Sequence, residues 1–177
     1  ANMKVHEFRH EITTTSSVLG RQEDVQVIFK GDEAGTDGHK IYLPQMPDNY
    51  ELTDSQVKVM RGYVDHEAGH LRHTDMEHTM EKYKKWGENG MKGLSDLHNA
   101  LEDVRMERKV REEYHGAVKN LKELTRVTNE KNVEGLKEHK AETGEDLLSE
   151  VNLTSIMSGV LSKGYASLGD DTKELQE

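Results

Sequence analysis

The strongest constraint on the fold is a helical pattern that covers nearly the whole chain after Asn49. Apolar residues recur at near-helical spacing through the segment 54–85, which predicts one long amphipathic helix. A glycine-rich turn over 87–93 is expected to end that helix, because glycine interrupts helical structure. The same kind of spacing predicts three more helices, over 96–114, 117–139 and 147–168.

Strand-like sequence is confined to the first fifty residues. The stretch 25–29 is rich in β-branched and aromatic residues, and 41–43 is a second short strand candidate. A loop with glycine and aspartate separates them, so we expect a hairpin or a sheet of two to three strands, and no other strand. Residues 3–17 carry a weak helical stripe, which the hydroxyl run 13–17 should break because such side chains compete for backbone hydrogen bonds. The predicted fold class is α+β, mostly helical.

Composition excludes several classes of function. The chain has 24 Lys and Arg against 34 Asp and Glu, and a net charge of −10 repels the phosphate backbone of nucleic acids. No apolar run approaches the ~18 residues of a membrane span, and no charged-then-apolar leader is present. We therefore expect a cytoplasmic protein with no nucleic-acid or membrane partner. Cysteine is absent, so any transition-metal ligand must be a histidine or a carboxylate.

The long helix contains the sequence His66-Glu67-Ala68-Gly69-His70. Histidines four residues apart lie one above the other on a helix face, so both imidazoles can bind one tetrahedral ion such as Zn²⁺. Glu67 follows the first histidine by about 100° around the helix. There its carboxylate can take a proton from metal-activated water, as a general base. The alternative is a polar helix face that carries two histidines by coincidence.

The third metal ligand is expected on the next helix, which should fold back over the first. Glu102 is the predicted ligand, and Asp103 is predicted to orient a ligand imidazole through its other ring nitrogen. His98, one turn earlier, and Glu107, about one turn later, are alternative ligands. A solvated salt-bridge face is the other interpretation of Glu102.

Three residues are candidates for supporting roles. Arg105 lies on the same helix face as Glu102 and could pair with Asp65 or with a substrate. Tyr63 precedes the first histidine by about one turn, where a phenol can stabilise an oxyanion, although a place in the core is the alternative. His98 could also donate a hydrogen bond to a developing oxyanion.

The two helices together resemble a known family. The residues 66–70, followed by Asn99-Ala100-Leu101-Glu102-Asp103-Val104-Arg105-Met106-Glu107, resemble gluzincin-type metallopeptidases. They resemble more closely the metallopeptidase-like region of cobaltochelatase T-subunit proteins and their phage-encoded relatives, over roughly 53–115. The resemblance implies that His66, His70 and Glu102 bind zinc and that Glu67 is the general base. It also implies that the upstream strand aligns the substrate, as the edge strand of a zincin-like fold.

We therefore expect a zinc-dependent metalloendopeptidase that acts on a peptide or protein substrate. Its minimal zincin-like domain would span 3–115, with a small N-terminal sheet packed on the metal-bearing helix, and 116–177 would form a helical extension packed on or continuing that domain. The alternative is a non-catalytic, metal-stabilised module that binds a partner protein, such as a chelatase-complex or phage component. A phage-encoded relative would act in the host cytoplasm. The oligomeric state stays open.

Overall fold

The computed structural model of the chain describes residues 3–20 and 25–144. Within these ranges the protein is mostly helical with short strands, which confirms the predicted α+β class. None of the helices in these ranges combines the length and the hydropathy that a membrane span requires. The elements are, in chain order, β1 (Met3–Lys4), α1 (Val5–Gly20), β2 (Gln26–Phe29), β3 (Gly35–Thr36), β4 (Lys40–Leu43), β5 (Glu51–Leu52), α2 (Asp54–His73), α3 (Met76–Glu88), α4 (Lys92–Glu113) and α5 (Ala117–Thr143).

The first helix is longer than its sequence predicts. The hydroxyl run at 13–17 was expected to end it, but α1 continues to Gly20. Its apolar stripe of Val5, Phe8 and Ile12 is fully buried in the core, and this packing stabilises the helix more than local hydroxyl competition weakens it. The hydroxyl of Ser16 donates to the carbonyl of Ile12, one turn earlier, and so stays within the helix.

The sheet has three strands in the order β2-β4-β3. Both predicted strands are confirmed, and so is the predicted sheet of two to three strands; the alternative of a direct hairpin is wrong, because β2 and β4 run parallel. The chain first reverses direction through β3, which pairs antiparallel with β4 and forms an edge of the sheet. A second antiparallel pair, β1 with β5, was not predicted from the sequence, since each of these strands has only two residues.

The long helix predicted over 54–85 is two helices. Its start is confirmed, with a reciprocal capping box between Thr53 and Gln56. The helix ends at His73 because Thr74 adopts an extended conformation. The carboxylate of Asp75 then accepts the backbone N–H of His78 and caps α3, which turns the chain in a new direction.

Helix α2 lies at the centre of the molecule. It contacts α1 and strands β3, β4 and β5, and it also packs against α4 and α5. Helix α5 continues four residues beyond its predicted end, to Thr143, and Gly144 follows it in the left-handed conformation with φ 78°. The helix predicted over 147–168 lies outside the described residues. The division at residue 115 stays a prediction, with α5 packed along α2.

Candidate metal centre

The histidines of α2 meet as their spacing predicts. His66 and His70 lie one turn apart with their ring centroids separated by 4.8 Å, and their two Nε2 atoms are 3.2 Å apart. The helix is held in this orientation by Val64 and Ala68, which are buried in the core cluster shared with α1 and the sheet. The burial of these two apolar residues therefore fixes the face on which the imidazoles project.

The third group at this point is Asp103 of α4. Its Oδ1 atom lies 3.1 Å from Nε2 of His70 and 3.6 Å from Nε2 of His66. This oxygen is buried, and it makes no hydrogen bond to any residue in the described ranges. From the sequence, Asp103 was predicted as the orienting group and Glu102 as the ligand. The structure instead brings Asp103 together with the two histidines.

Close packing of two helices places Asp103. A Cβ atom on Gly69 would lie 2.3 Å from Sδ of Met106 and 2.7 Å from Cγ2 of Val110, so only glycine allows α4 to approach this closely. Met106 and Val110 are both buried beneath the contact. Because a helix advances about 100° per residue, this contact decides which of two adjacent acidic residues faces α2.

The three convergent atoms suit a metal ion. Zinc binds histidine nitrogen and carboxylate oxygen at about 2.0–2.2 Å, so atoms around one tetrahedral ion stand about 3.3 Å apart. The separations of 3.2, 3.1 and 3.6 Å match this spacing. Asp103 Oδ1 is also a buried acceptor that no hydrogen bond satisfies within the described ranges, and a cation would satisfy it. The donor set therefore fits a metal such as zinc, with room for a fourth ligand on the cavity side.

His66 is oriented by Glu107. Nδ1 of His66 lies 2.6 Å from Oε1 of Glu107, whose side chain is only 3% exposed. Burial opposes a charge on His66, but the hydrogen bond to Glu107 and the negative charges of Asp103 and Glu107 outweigh it and raise the pKa of this imidazole. Glu107 was an alternative ligand in the sequence analysis. The structure places it behind the histidine, on the side away from Asp103.

Glu102 makes a different set of contacts. Its carboxylate accepts a bidentate pair of hydrogen bonds from Arg105 and one from the hydroxyl of Thr74, at 2.7 Å. Thr74 Oγ1 in turn lies 3.0 Å from Nδ1 of His70. Burial tends to raise the pKa of Glu102, but the hydrogen bonds from Arg105 and Thr74 dominate and lower it. Arg105 therefore pairs with Glu102 and not with Asp65, whose carboxylate accepts from Asn120.

Glu67 faces the same cavity as the histidines. This cavity has a volume of about 260 Å³ and includes the edge strand β3 in its wall. Glu67 is buried, and burial is the main cause that raises the pKa of its carboxyl, while the nearby histidines act in the opposite direction. A carboxyl with a raised pKa is suited to accept and return a proton near neutral pH. The cavity is lined by Ala34, Gly35, Thr36, His66, Glu67, His70, Thr74, Met76, Thr79, Met80, Tyr83, Asn99, Glu102 and Asp103.

The remaining predicted residues lie apart from the three convergent atoms. Tyr63 is partly buried and packs against the core cluster, where burial and the charge of Glu67 raise the pKa of its phenol. Nδ1 of His98 lies 3.1 Å from the hydroxyl of Tyr83, and its ring packs edge-on against Trp86. Tyr83 lines the cavity but could not be predicted from the sequence, because the helical pattern over 54–85 does not show the break between α2 and α3 that sets the direction of α3.

Comparison with known proteins identifies the family. The model of the family described as cobalamin biosynthesis protein CobT matches residues 2–153. No curated protein matches this chain, and no solved structure does. The match confirms the expected relationship to cobaltochelatase T-subunit proteins. Because it covers most of the sequence, including every residue of the candidate metal centre, the chain belongs to the CobT family.

Proposed function

We propose that this protein is a zinc-dependent metallopeptidase-like hydrolase in which His66, His70 and Asp103 bind the metal. One observation carries the proposal: two imidazole nitrogens and a carboxylate oxygen converge within 4.8 Å of one another, beside a buried glutamate, on a cavity bordered by an edge strand. When bound, zinc supplies Lewis-acid polarisation of a carbonyl group and acidifies water.

Glu67 provides the acid–base chemistry in this proposal. It follows His66 directly in α2, and its side chain is buried on the cavity side. The carboxylate accepts a proton from the attacking water and passes it to the leaving amine. A buried carboxylate costs folding free energy unless it is compensated, so a site that served only to hold the structure together would gain nothing from this residue.

The edge strand β3 supports an extended peptide as the substrate. Its outer edge does not pair with another strand within the described ranges, and its residues Gly35 and Thr36 line the cavity. A Cβ atom on Gly35 would meet no atom within 4 Å, so space is open beside this strand. An extended chain can add to such an edge through main-chain hydrogen bonds.

Paired variants of the zinc-loaded protein test the proposal. Elemental mass spectrometry should find about one zinc per wild-type chain. The wild type should also cleave peptides in a defined mixture, and mass spectrometry detects the products. Glu67→Gln should keep the zinc and abolish cleavage, whereas His66→Ala should lose both. Glu81→Gln is the matched control, since this glutamate is exposed on α3. Full activity in Glu67→Gln would rule out the general-base role.

A non-catalytic, metal-stabilised module that binds a partner protein is the second candidate. Helix α3 buries none of its residues, and four large apolar side chains on or beside the α3–α4 hairpin are exposed: Met80, Met91, Leu94 and Leu101. Such side chains are typical of an interaction surface. This alternative predicts that zinc raises the melting temperature of both wild type and Glu67→Gln, with no peptide cleaved by either.

A further inference from the structure

We propose that Thr74, Glu102 and Arg105 form a relay that holds His70 in the tautomer whose Nε2 lone pair faces the metal. These three are positioning residues, and Glu102 serves the site without binding the ion. The inference rests on the metal centre proposed above, but not on peptide hydrolysis.

The direction of each hydrogen bond follows from what each group can donate. The Glu102 carboxylate accepts from Nε and Nη2 of Arg105, so it has no proton to give and can only accept. The hydroxyl of Thr74 therefore donates to Oε1 of Glu102, at 2.7 Å. Its one proton is then used, so at 3.0 Å the same oxygen must accept from Nδ1–H of His70. A neutral imidazole with its proton on Nδ1 presents a lone pair at Nε2, which is the atom beside Asp103.

The end of α2 places Thr74 for this task. The backbone N–H of Thr74 still donates to the carbonyl of His70, but its own backbone is extended. Its side chain therefore returns to the histidine one turn earlier. Arg105 also donates to the carbonyl of His73, one of the last carbonyls of α2. The same arginine thus ties α4 to the end of α2 and holds Glu102 against Thr74.

Nδ1 of each ligand histidine has a polar partner, but the two partners differ. Glu107 contacts Nδ1 of His66 directly at 2.6 Å, whereas the carboxylate that serves His70 acts through the hydroxyl of Thr74. A carboxylate behind a ligand imidazole fixes its tautomer and raises its basicity. With Asp103 as the ligand, each charged side chain in the segment 102–107 then has a role: one binds the ion, and the others hold the imidazoles.

Threonine variants test the relay without any need for turnover. Thr74→Val removes the hydroxyl at nearly constant volume, and we expect its zinc affinity, measured by competition with a chromophoric chelator, to fall about 10- to 100-fold. Thr74→Ser restores the hydroxyl and should return the affinity to within about threefold of wild type. Thr79→Val is the matched control, because Thr79 lines the same cavity on α3. Its zinc affinity should be unchanged.

A spectroscopic readout separates positioning from general loosening of the cavity. In ¹⁵N-detected histidine spectra of the zinc-free protein, His70 should be the Nδ1–H tautomer in wild type and in Thr74→Ser, and should lose that tautomer in Thr74→Val. Metal-saturated Co²⁺ protein should keep its visible spectrum in Thr74→Val, since the ligands are unchanged, whereas Asp103→Ala should alter it.

Each outcome is decisive for the relay. Wild-type zinc affinity together with an unchanged His70 tautomer in Thr74→Val would overturn it, as would an equal loss of affinity in Thr79→Val. Should Thr74→Val fail to fold, Glu102→Gln provides the test. Its zinc affinity should fall more than about threefold, but less than the affinity loss expected for Thr74→Val. A wild type that binds zinc and cleaves no peptide would refute the hydrolase and leave the relay standing.

Discussion

Replacing Gly69 with alanine should lower zinc affinity strongly while it changes the free energy of unfolding only a little. The new Cβ would lie 2.3 Å from Sδ of Met106 and 2.7 Å from Cγ2 of Val110, whereas nonbonded carbon contacts need about 3.5–4.0 Å. The methionine side chain can rotate away, but the β-branched valine is stiff at χ1. Helix α4 must therefore move outward by about 1 Å, and Asp103 moves with it.

The expected energies have opposite signs. Overpacking a buried contact costs about 1–3 kcal/mol, while alanine gains about 1 kcal/mol over glycine in a helix. We expect a net loss of roughly 0–2 kcal/mol in the free energy of unfolding of the zinc-free protein. Metal–ligand distances stay within about 0.2 Å of their usual values, and a shift of Asp103 well beyond this range should lower zinc affinity by at least tenfold. Urea denaturation and chelator competition measure the two quantities separately.

Two other glycine substitutions serve as controls. In Gly62→Ala the added Cβ would contact α5 instead of α4, at 2.6 Å from the carbonyl oxygen of Asn120 and 2.7 Å from Cβ of Leu124. It should destabilise the fold and spare zinc affinity. Gly135 is exposed on α5, and a Cβ atom added there would meet no atom of a neighbouring element within 4 Å. Gly135→Ala should therefore be neutral or should stabilise the fold. Wild-type zinc affinity in Gly69→Ala would refute the claim that this contact sets the position of Asp103.

Two further predictions follow from the titratable groups of α2. Zinc binding at pH 7 should release about one proton per ion, because the raised pKa of His66 keeps this imidazole protonated until the metal displaces the proton. Calorimetry in buffers of different ionisation enthalpy measures the number of protons released. Binding heats that do not depend on the buffer would contradict the prediction. Asp65→Asn should stabilise the zinc-free protein by up to about 3 kcal/mol at pH 8 and by about half that at pH 5. Burial raises the pKa of Asp65 from its usual value of 3.8 to about 6, so stability that is fully present below the unfolded pKa is lost as pH rises from there to the folded value. Urea denaturation that shows the same gain at both pH values would contradict this reasoning.

Local sequence was sufficient wherever one element decides the outcome. The i, i+4 spacing of His66 and His70, the cap at Thr53 and the strands β2 and β4 need only the geometry of a helix turn or a strand, and the structure agrees with each. The length of α1 and the parallel pairing of β2 with β4 could not be predicted in this way. Both depend on burial in the core that α1, α2 and the sheet share, which local propensity does not contain.

Two histidines and a glutamate on one helix, followed by an acidic helix, could be predicted from the order of residues alone. Which acid reaches the histidines depends on how α4 packs against α2. Glu102 and Asp103 differ by about 100° around α4, and nothing in the spacing of the segment distinguishes them. The contact of Gly69 with Met106 and Val110 sets the rotation of α4, so Asp103 meets the imidazoles while Glu102 is held away by Arg105.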